Sequence, residues 1–260
     1  MAEDTAVLFI DIGNTSIRWA AYEGGWGALR RLATREAGRL AAEVEAKPEV
    51  AVMCSVVAAA ADTVTEQLEG RGFRVLVLGR NLEAEMPVRY RDRRELGQDR
   101  LANAAGAYAV VGGAAIVVDA GTAITVDAVS REGEFLGGAI APGPRPAWEG
   151  LLAAVHGPSF TELGAEWVEQ PQAEVGPIGQ STRECAEAAL RIGFAGLVDR
   201  LVREQRRVVG EGASVLWTGG AARLVRAYSE EPGELDERLT LKGLLAIYRA
   251  ASTDARNETG

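Results

Sequence analysis

The sequence predicts an α/β fold in two related halves, and three observations lead there. Apolar stretches of strand length alternate with segments of helical period, which implies a mostly parallel sheet with helices packed on it. One pattern of strand, Asp-x-Gly, hydroxyl residues and strand occurs twice, at Val7 to Ile17 and at Ile116 to Val129. Its aspartates, Asp11 and Asp119, are 119 − 11 = 108 positions apart, a little under half of the 260 residues. That duplication divides the chain into residues 1–113 and 114–260.

In chain order, residues 6 to 22 read as a hairpin: apolar Val7 to Ile10, a turn from Asp11 to Ser16, then Ile17 to Tyr22. A helix is expected at Arg35 to Glu45, with Ala37, Leu40, Ala41 and Val44 on one face, ended by Pro48. Val50 to Val57 reads as a buried strand, Ala59 to Leu68 as a helix closed by Gly70, and Phe73 to Leu78 as another strand. Residues 79 to 95 are polar, rich in Arg and contain Pro87, so they read as a long irregular loop of the kind that often carries function. Leu96 to Val111 returns to helical period and stops at Gly112-Gly113.

The second half opens with the strand Ile116 to Val118 and its partner Ile124 to Val129. Beyond Gly137-Gly138, Pro142, Pro144 and Pro146 predict a stiff non-helical path, with a short helix from Trp148 to Val155. Gly157 to Gly179 reads as a loop. Ser181 followed by Glu184 is a capping-box signature, opening one helix to about Arg206 with Cys185, Ala188, Ile192, Ala195 and Val202 inward. A strand Val215 to Thr218 leads through Gly219-Gly220 into a helix to Tyr228, and Leu239 to Leu241 with a helix Lys242 to Ala251 completes the fold.

Composition excludes several classes. Hydrophobic residues make up 47% and charged residues 25%, as in globular domains. The longest nearly apolar run, Ala51 to Ala61, is too short to span a bilayer, and the acidic N-terminus lacks the basic region of a signal peptide. Two distant cysteines, Cys54 and Cys185, fit a reducing cytosol, so a cytoplasmic location is expected. A net charge of −9 argues against nucleic acid as a partner. Arg89, Arg91, Arg93 and Arg94 read as a solvated loop rather than an anion site. The single histidine, His156, argues against a His-dependent triad or metal cluster.

Neither a P-loop nor a G-x-G-x-x-G turn is present. What remains is a set of Gly turns at strand ends: Asp11 to Thr15, Asp119 to Thr122, Gly137-Gly138 and Thr218 to Gly220. Such turns present N–H groups and hydroxyls to phosphate oxygens. Their carboxylates need a cation, because a carboxylate about 4 Å from a phosphate costs roughly 4 kcal/mol at an effective dielectric near 20. The pattern therefore predicts a metal-bound polyphosphate in a cleft between the two halves. Gly97-Gln98-Asp99-Arg100 opens a helix, where Asp99 reads either as a cap or as proton acceptor for a substrate hydroxyl. Arg100 reads as an anion holder or as the partner of a neighbouring carboxylate.

These residues together resemble the type III pantothenate kinase family. The motifs are D-x-G-N-T at Asp11 to Thr15, G-x-D-R at Gly97 to Arg100, D-x-G-T-A-x-T-x-D at Asp119 to Asp127, G-G-x-I-x-P-G at Gly137 to Gly143, I-G-x-x-T at Ile178 to Thr182, and T-G-G at Thr218 to Gly220. The resemblance implies duplicated actin-like (ribonuclease H-like) domains with a nucleotide cleft between them. It also implies ATP-dependent phosphorylation of pantothenate in coenzyme A synthesis, Mg²⁺, a monovalent cation (K⁺ or NH₄⁺), and a homodimer.

Carried over by position, the resemblance gives Asp11, Ile12, Gly13, Asn14, Thr15, Ser16, Ile17 and Arg18 to the ATP phosphates, with Asp11 meeting Mg²⁺ through ATP, and Thr122 to ATP. It makes Asp119 the monovalent-cation ligand and Asp99 the proton acceptor. Tyr90, Gly97, Gln98, Asp99, Arg100 and Thr182 would line the pantothenate site. The chain departs from the family pattern at Ser181, at Ala189 and in the segment Pro142 to Trp148. Two competing readings are a nucleotide-binding regulator of the same fold without turnover and a kinase for another substrate; the intact Asp99 and Gly turns speak against the first, and Tyr90 with G-x-D-R against the second.

Overall fold

Six consecutive buried residues, Val7–Ile12, form β1 at the centre of the first sheet. The computed structural model describes residues 6–45, 49–155, 165, 168, 175–231 and 233–257. Contacts divide the chain into two units, one of Met1–Gly112, Gly133–Phe135 and Arg238–Gly260, the other of Gly113–Glu132 and Leu136–Glu237.

In the first unit β2 (Ser16–Tyr22), β3 (Arg30–Ala33), β4 (Val50–Ser55) and β5 (Arg74–Val77) join β1 in the order β3-β2-β1-β4-β5. The sheet is mixed, which corrects the expectation of a mostly parallel one: β1 runs antiparallel to β2 and parallel to β4. The turn after β1 is too short for a crossover, and a short link permits only an antiparallel partner. The expected helix at Arg35 to Glu45 is instead a 3₁₀ segment, Thr34–Arg39, followed by the single turn α1, Leu40–Glu43. Glu36 leaves helical geometry there, and Gly38 adds backbone freedom that opposes a continuous helix.

Helix α2 (Ala58–Glu69) turns Ala61, Val64 and Leu68 onto Leu8, Ile10 and Met53 of the sheet. Full burial of each such aliphatic side chain contributes about 1.5–3 kcal/mol. Helix α3 (Gln98–Val111) ends at Gly112, whose φ of 65° is the left-handed C-terminal geometry that glycine adopts without strain.

The second unit repeats the plan. Strands β6 (Ala115–Ala120), β7 (Ala123–Val129), β8 (Phe135–Pro142), β9 (Ser214–Thr218) and β10 (Glu234–Leu235) lie in the order β10-β9-β6-β7-β8. Here β6 is antiparallel to β7 and parallel to β9, so β6 stands where β1 stands. Segment Gly137 to Pro142 is strand, a non-helical path as expected, but Pro144 and Pro146 lie inside α4 (Pro144–Ala154), which begins four residues before Trp148. Proline fits a first helical turn, where its missing N–H has no partner to lose.

The single helix expected from Ser181 is interrupted. It runs as α5 (Thr182–Ala188), a π segment Ala189–Gly193, and α6 (Phe194–Val209). The π turn inserts a residue and rotates the inward face. Ala195 and Val202 are buried as expected, whereas Cys185 and Ile192 are exposed. A short α7, Ala222–Arg226, follows β9. His156 and most of the loop from Gly157 lie outside the described residues.

Leu239 to Leu241 begins the last helix, α8 (Leu239–Asn257). It belongs to the first unit, although the sequence division at 113/114 puts it in the second half. Glycines allow its close packing on α3. A Cβ at Gly243 would collide with the Ala102 carbonyl, and one at Gly106 with the Leu239 carbonyl. No described helix is long and apolar enough to cross a membrane.

Candidate functional site

The first Asp-x-Gly turn is pinned from two sides. The Gly13 N–H donates to the Ser16 carbonyl at 3.0 Å, and the Thr34 hydroxyl donates to the Gly13 carbonyl at 2.7 Å. Asn14 and Thr15 are left exposed at its tip, and Gly13 and Ser16 are half-buried. Ile12 and Ile17 pair across the hairpin, and their side chains belong to the hydrophobic core, so they can offer a ligand only backbone groups.

Asp11 is 5% exposed. Its register partners are Arg18 on β2 and Cys54 on β4. Arg18 donates from Nε and Nη2 to Asp11 Oδ2 at 3.0 and 2.6 Å. The Cys54 thiol donates to Oδ1 at 3.7 Å. Burial first, and then the charges of Asp11 and Asp99, push that thiol well above its ordinary range, so it stays a neutral donor. Neither the Cys54 contact nor the Thr34 contact was signalled by the sequence motifs, since one comes from β4 and the other from the start of the 3₁₀ segment, both outside the turn's own stretch of chain.

The start of α3 gathers the G-x-D-R residues. Gly97 is the N-cap and has no side chain to fill that role. Asp99, half-buried, accepts from the Arg100 N–H at 2.8 Å, and a Cβ at Gly97 would come within 2.6 Å of its Oδ1. Gln98 donates to the Leu96 carbonyl at 3.4 Å and lies over Gly79.

Arg100 is buried against two neighbouring rings, whose centres lie 6.0 Å apart. Its guanidinium carbon lies 5.7 Å from the centre of Tyr90 and 5.6 Å from that of Phe135, and Nη1 donates to the Tyr90 hydroxyl at 3.1 Å. Such stacking fixes the guanidinium plane and contributes about 1–2 kcal/mol where water is excluded. Tyr90 and Arg100, which the resemblance assigns to one site, thus lie in contact. Phe135 was missed, because an isolated aromatic in a Gly-rich stretch carries no periodic signal. The neighbouring arginines behave as a solvated loop: Arg89 pairs with Glu134, Arg93 donates to the Ala84 carbonyl, Arg94 pairs with Asp92, and Arg91 is exposed.

In the second unit, Asp119 is half-buried at the end of β6 and Thr122 is exposed at the turn. The Gly121 N–H donates to the Ala123 carbonyl, and the Gly143 N–H to the Thr122 carbonyl, both at 2.8 Å. The register partners of Asp119 are Thr125 on β7 and Thr218 on β9. Both hydroxyl oxygens are buried without a hydrogen-bond partner among the described residues. Gly219, at φ 95°, lets the backbone pass close to Asp119, since a Cβ there would collide with Asp119 Oδ1 and the Ala120 carbonyl oxygen. A carboxylate with two unsatisfied neutral oxygens at neighbouring register positions is a donor set suited to a hard cation. Thr182, the last of the expected site residues, is half-buried at the first position of α5 and next to the cap Ser181, which accepts from the Glu184 N–H at 3.2 Å.

Two mixed sheets of one strand order, each with an Asp-x-Gly turn after its central strand, define an actin-like ATPase fold. Solved structures agree over nearly the whole chain: MreB5 of Spiroplasma citri bound to ADP matches 98% of this chain and 99% of its own at a TM-score of 0.56 and 10% identity. The ethanolamine utilization protein EutJ of Carboxydothermus hydrogenoformans matches 94% of this chain and 89% of its own at 0.56 and 16% identity. Within that class, the family model for type III pantothenate kinase matches residues 7–204. The type III pantothenate kinase of Moorella thermoacetica is 33% identical over 93% of this chain and 98% of its own length. That of Myxococcus xanthus is 34% identical over 93% and 97%. The chain belongs to the type III pantothenate kinase family.

Proposed function

We propose that this chain transfers the terminal phosphoryl group of ATP to the hydroxyl of pantothenate, giving ADP and 4′-phosphopantothenate for coenzyme A synthesis. Family membership supports the reaction, and the observation that carries the assignment of residues is the start of α3, where Asp99 adjoins an Arg100 immobilised by Tyr90. Asp99 accepts the proton of the attacking hydroxyl. A carboxylate is basic enough, because phosphoryl transfer passes through a loose transition state governed by positioning and charge. Gly97, Gln98, Arg100, Tyr90 and Thr182 hold pantothenate, with Arg100 facing its carboxylate.

On the nucleotide side, the turn from Asp11 to Arg18 cradles the ATP phosphates with its exposed Asn14 and Thr15, and Thr122 makes the contact from the second turn. Asp11, held by Arg18 and Cys54, would meet Mg²⁺ through ATP, and that ion would offset phosphate charge. Asp119, supported by the Thr125 and Thr218 oxygens, holds the monovalent cation, K⁺ or NH₄⁺. The enzyme acts in the cytoplasm as a homodimer. Support for the dimer comes from an apolar groove lined by Pro177, Ile178 and Ile192, in which Ile178 is 84% exposed.

Incubation with ATP, Mg²⁺ and pantothenate, with and without K⁺, tests the reaction. Absence of ADP formation in every condition overturns it. Asp99→Asn should lower turnover roughly 10²–10⁴-fold while ATP binding persists; wild-type turnover in that variant refutes the role of Asp99.

A further inference from the structure

A buried polar chain leads away from Asp11. Arg18 Nη2, besides gripping Asp11, donates to the Thr240 hydroxyl at 3.3 Å. That hydroxyl donates in turn to Asn103 Oδ1 at 2.8 Å. Thr240 and Asn103 are each 1% exposed. A hydroxyl has one proton, so with Asn103 as acceptor it can only receive from Arg18, and the direction of the chain is fixed. Asn103 lies one helical turn beyond Asp99 on α3, while Thr240 opens α8, which packs on α3 at Gly106 and Gly243. Within the first unit, the chain therefore ties the Asp11 turn to the helix that carries Asp99 and Arg100.

We infer that Thr240 is a positioning residue for the transfer proposed above: its hydroxyl holds Arg18, and with it Asp11, in register with the helix that presents Asp99. The inference rests on the kinase reading, and neither Thr240 nor Asn103 touches the reacting atoms in it. Misplacement of reacting groups by a fraction of an ångström lowers turnover without removing any ligand contact. Valine at this position keeps the shape and loses both hydrogen bonds, whereas serine keeps the hydroxyl.

ADP formation by the wild-type protein is measured first, because its absence sinks the kinase reading itself. In an active enzyme, Thr240→Val should lower kcat about tenfold, with KM for ATP and for pantothenate each within about threefold, and Thr240→Ser should stay within about twofold of wild type. A purely structural hydroxyl would lower the melting temperature of Thr240→Val and leave its kcat at 25 °C unchanged. Wild-type kcat in Thr240→Val, or an equal loss in Thr240→Ser, overturns the inference. Should Thr240→Val fail to fold, Asn103→Leu removes the acceptor and leaves the hydroxyl; the same loss of kcat is expected, and wild-type kcat there overturns the inference equally.

Discussion

The two Asp-x-Gly turns occupy the same place in two sheets of the same strand order, yet their register partners differ in kind. Across the hairpin, Asp11 faces Arg18 where Asp119 faces Thr125. On the parallel side, Asp11 faces Cys54 where Asp119 faces Thr218. The first carboxylate is thus compensated by a guanidinium built into the fold. The second is flanked by hydroxyls, two of which have no partner among the described residues. Duplication accounts for the shared backbone, and divergence at two register positions gives the two aspartates different neighbours, which is the contrast behind the separate roles proposed for them.

The largest effect should come from breaking the first turn. Asp11→Asn breaks a largely buried ion pair with Arg18, which costs about 3 kcal/mol. A thermal melt should show it as a loss of ~10 °C, and an unchanged melt would mean that the pair contributes nothing. Asp119→Asn keeps the shape and hydrogen-bonding capacity of the side chain at a half-buried position and should cost less than Asp11→Asn, but its half-saturating K⁺ concentration should rise about tenfold. An unchanged K⁺ titration counts against Asp119 as the cation ligand.

Thr218→Val sharpens the contrast further. It removes a buried hydroxyl without a partner, so stability should hold or rise by up to about 1 kcal/mol, while K⁺ activation weakens a few-fold. A clear loss of stability would show that the hydroxyl is satisfied in solution. The smallest effect concerns Cys54. Its thiol titrates higher in the folded chain than in the unfolded one, so the unfolded state loses the proton first. Stability is then undisturbed below about pH 9 and falls as pH rises beyond it. Melts across that range should fall less steeply for Cys54→Ala, and parallel curves would refute the linkage.

Several features of this molecule were legible from residue order alone. Burial of apolar runs and glycine punctuation marked β1, β4, β6 and β9 and helices α2 and α3, because strand and helix periods are local properties. The edge strands β3 and β10 escaped notice, since Arg30-Arg31 and Glu234 face solvent and carry no apolar alternation. The π segment did too, since the insertion of one residue into a helical ladder has no signature in the apolar period. Asp11, Asp99 and Asp119 stood out because carboxylates beside glycines at strand and helix ends are conspicuous in one dimension.

By itself, then, the sequence determined the α/β alternation, the internal duplication and the family, all written in short contiguous motifs. Tertiary structure decided the mixed order of both sheets, the return of α8 to the first unit, and the company each aspartate keeps. Arg18 is seven residues from Asp11, but Cys54 is 43 away, and Thr240 lies 222 residues from the Arg18 it receives from. Contacts of that span follow from strand register and from the close approach of α3 and α8 at two glycines, and neither is encoded at any single position of the chain.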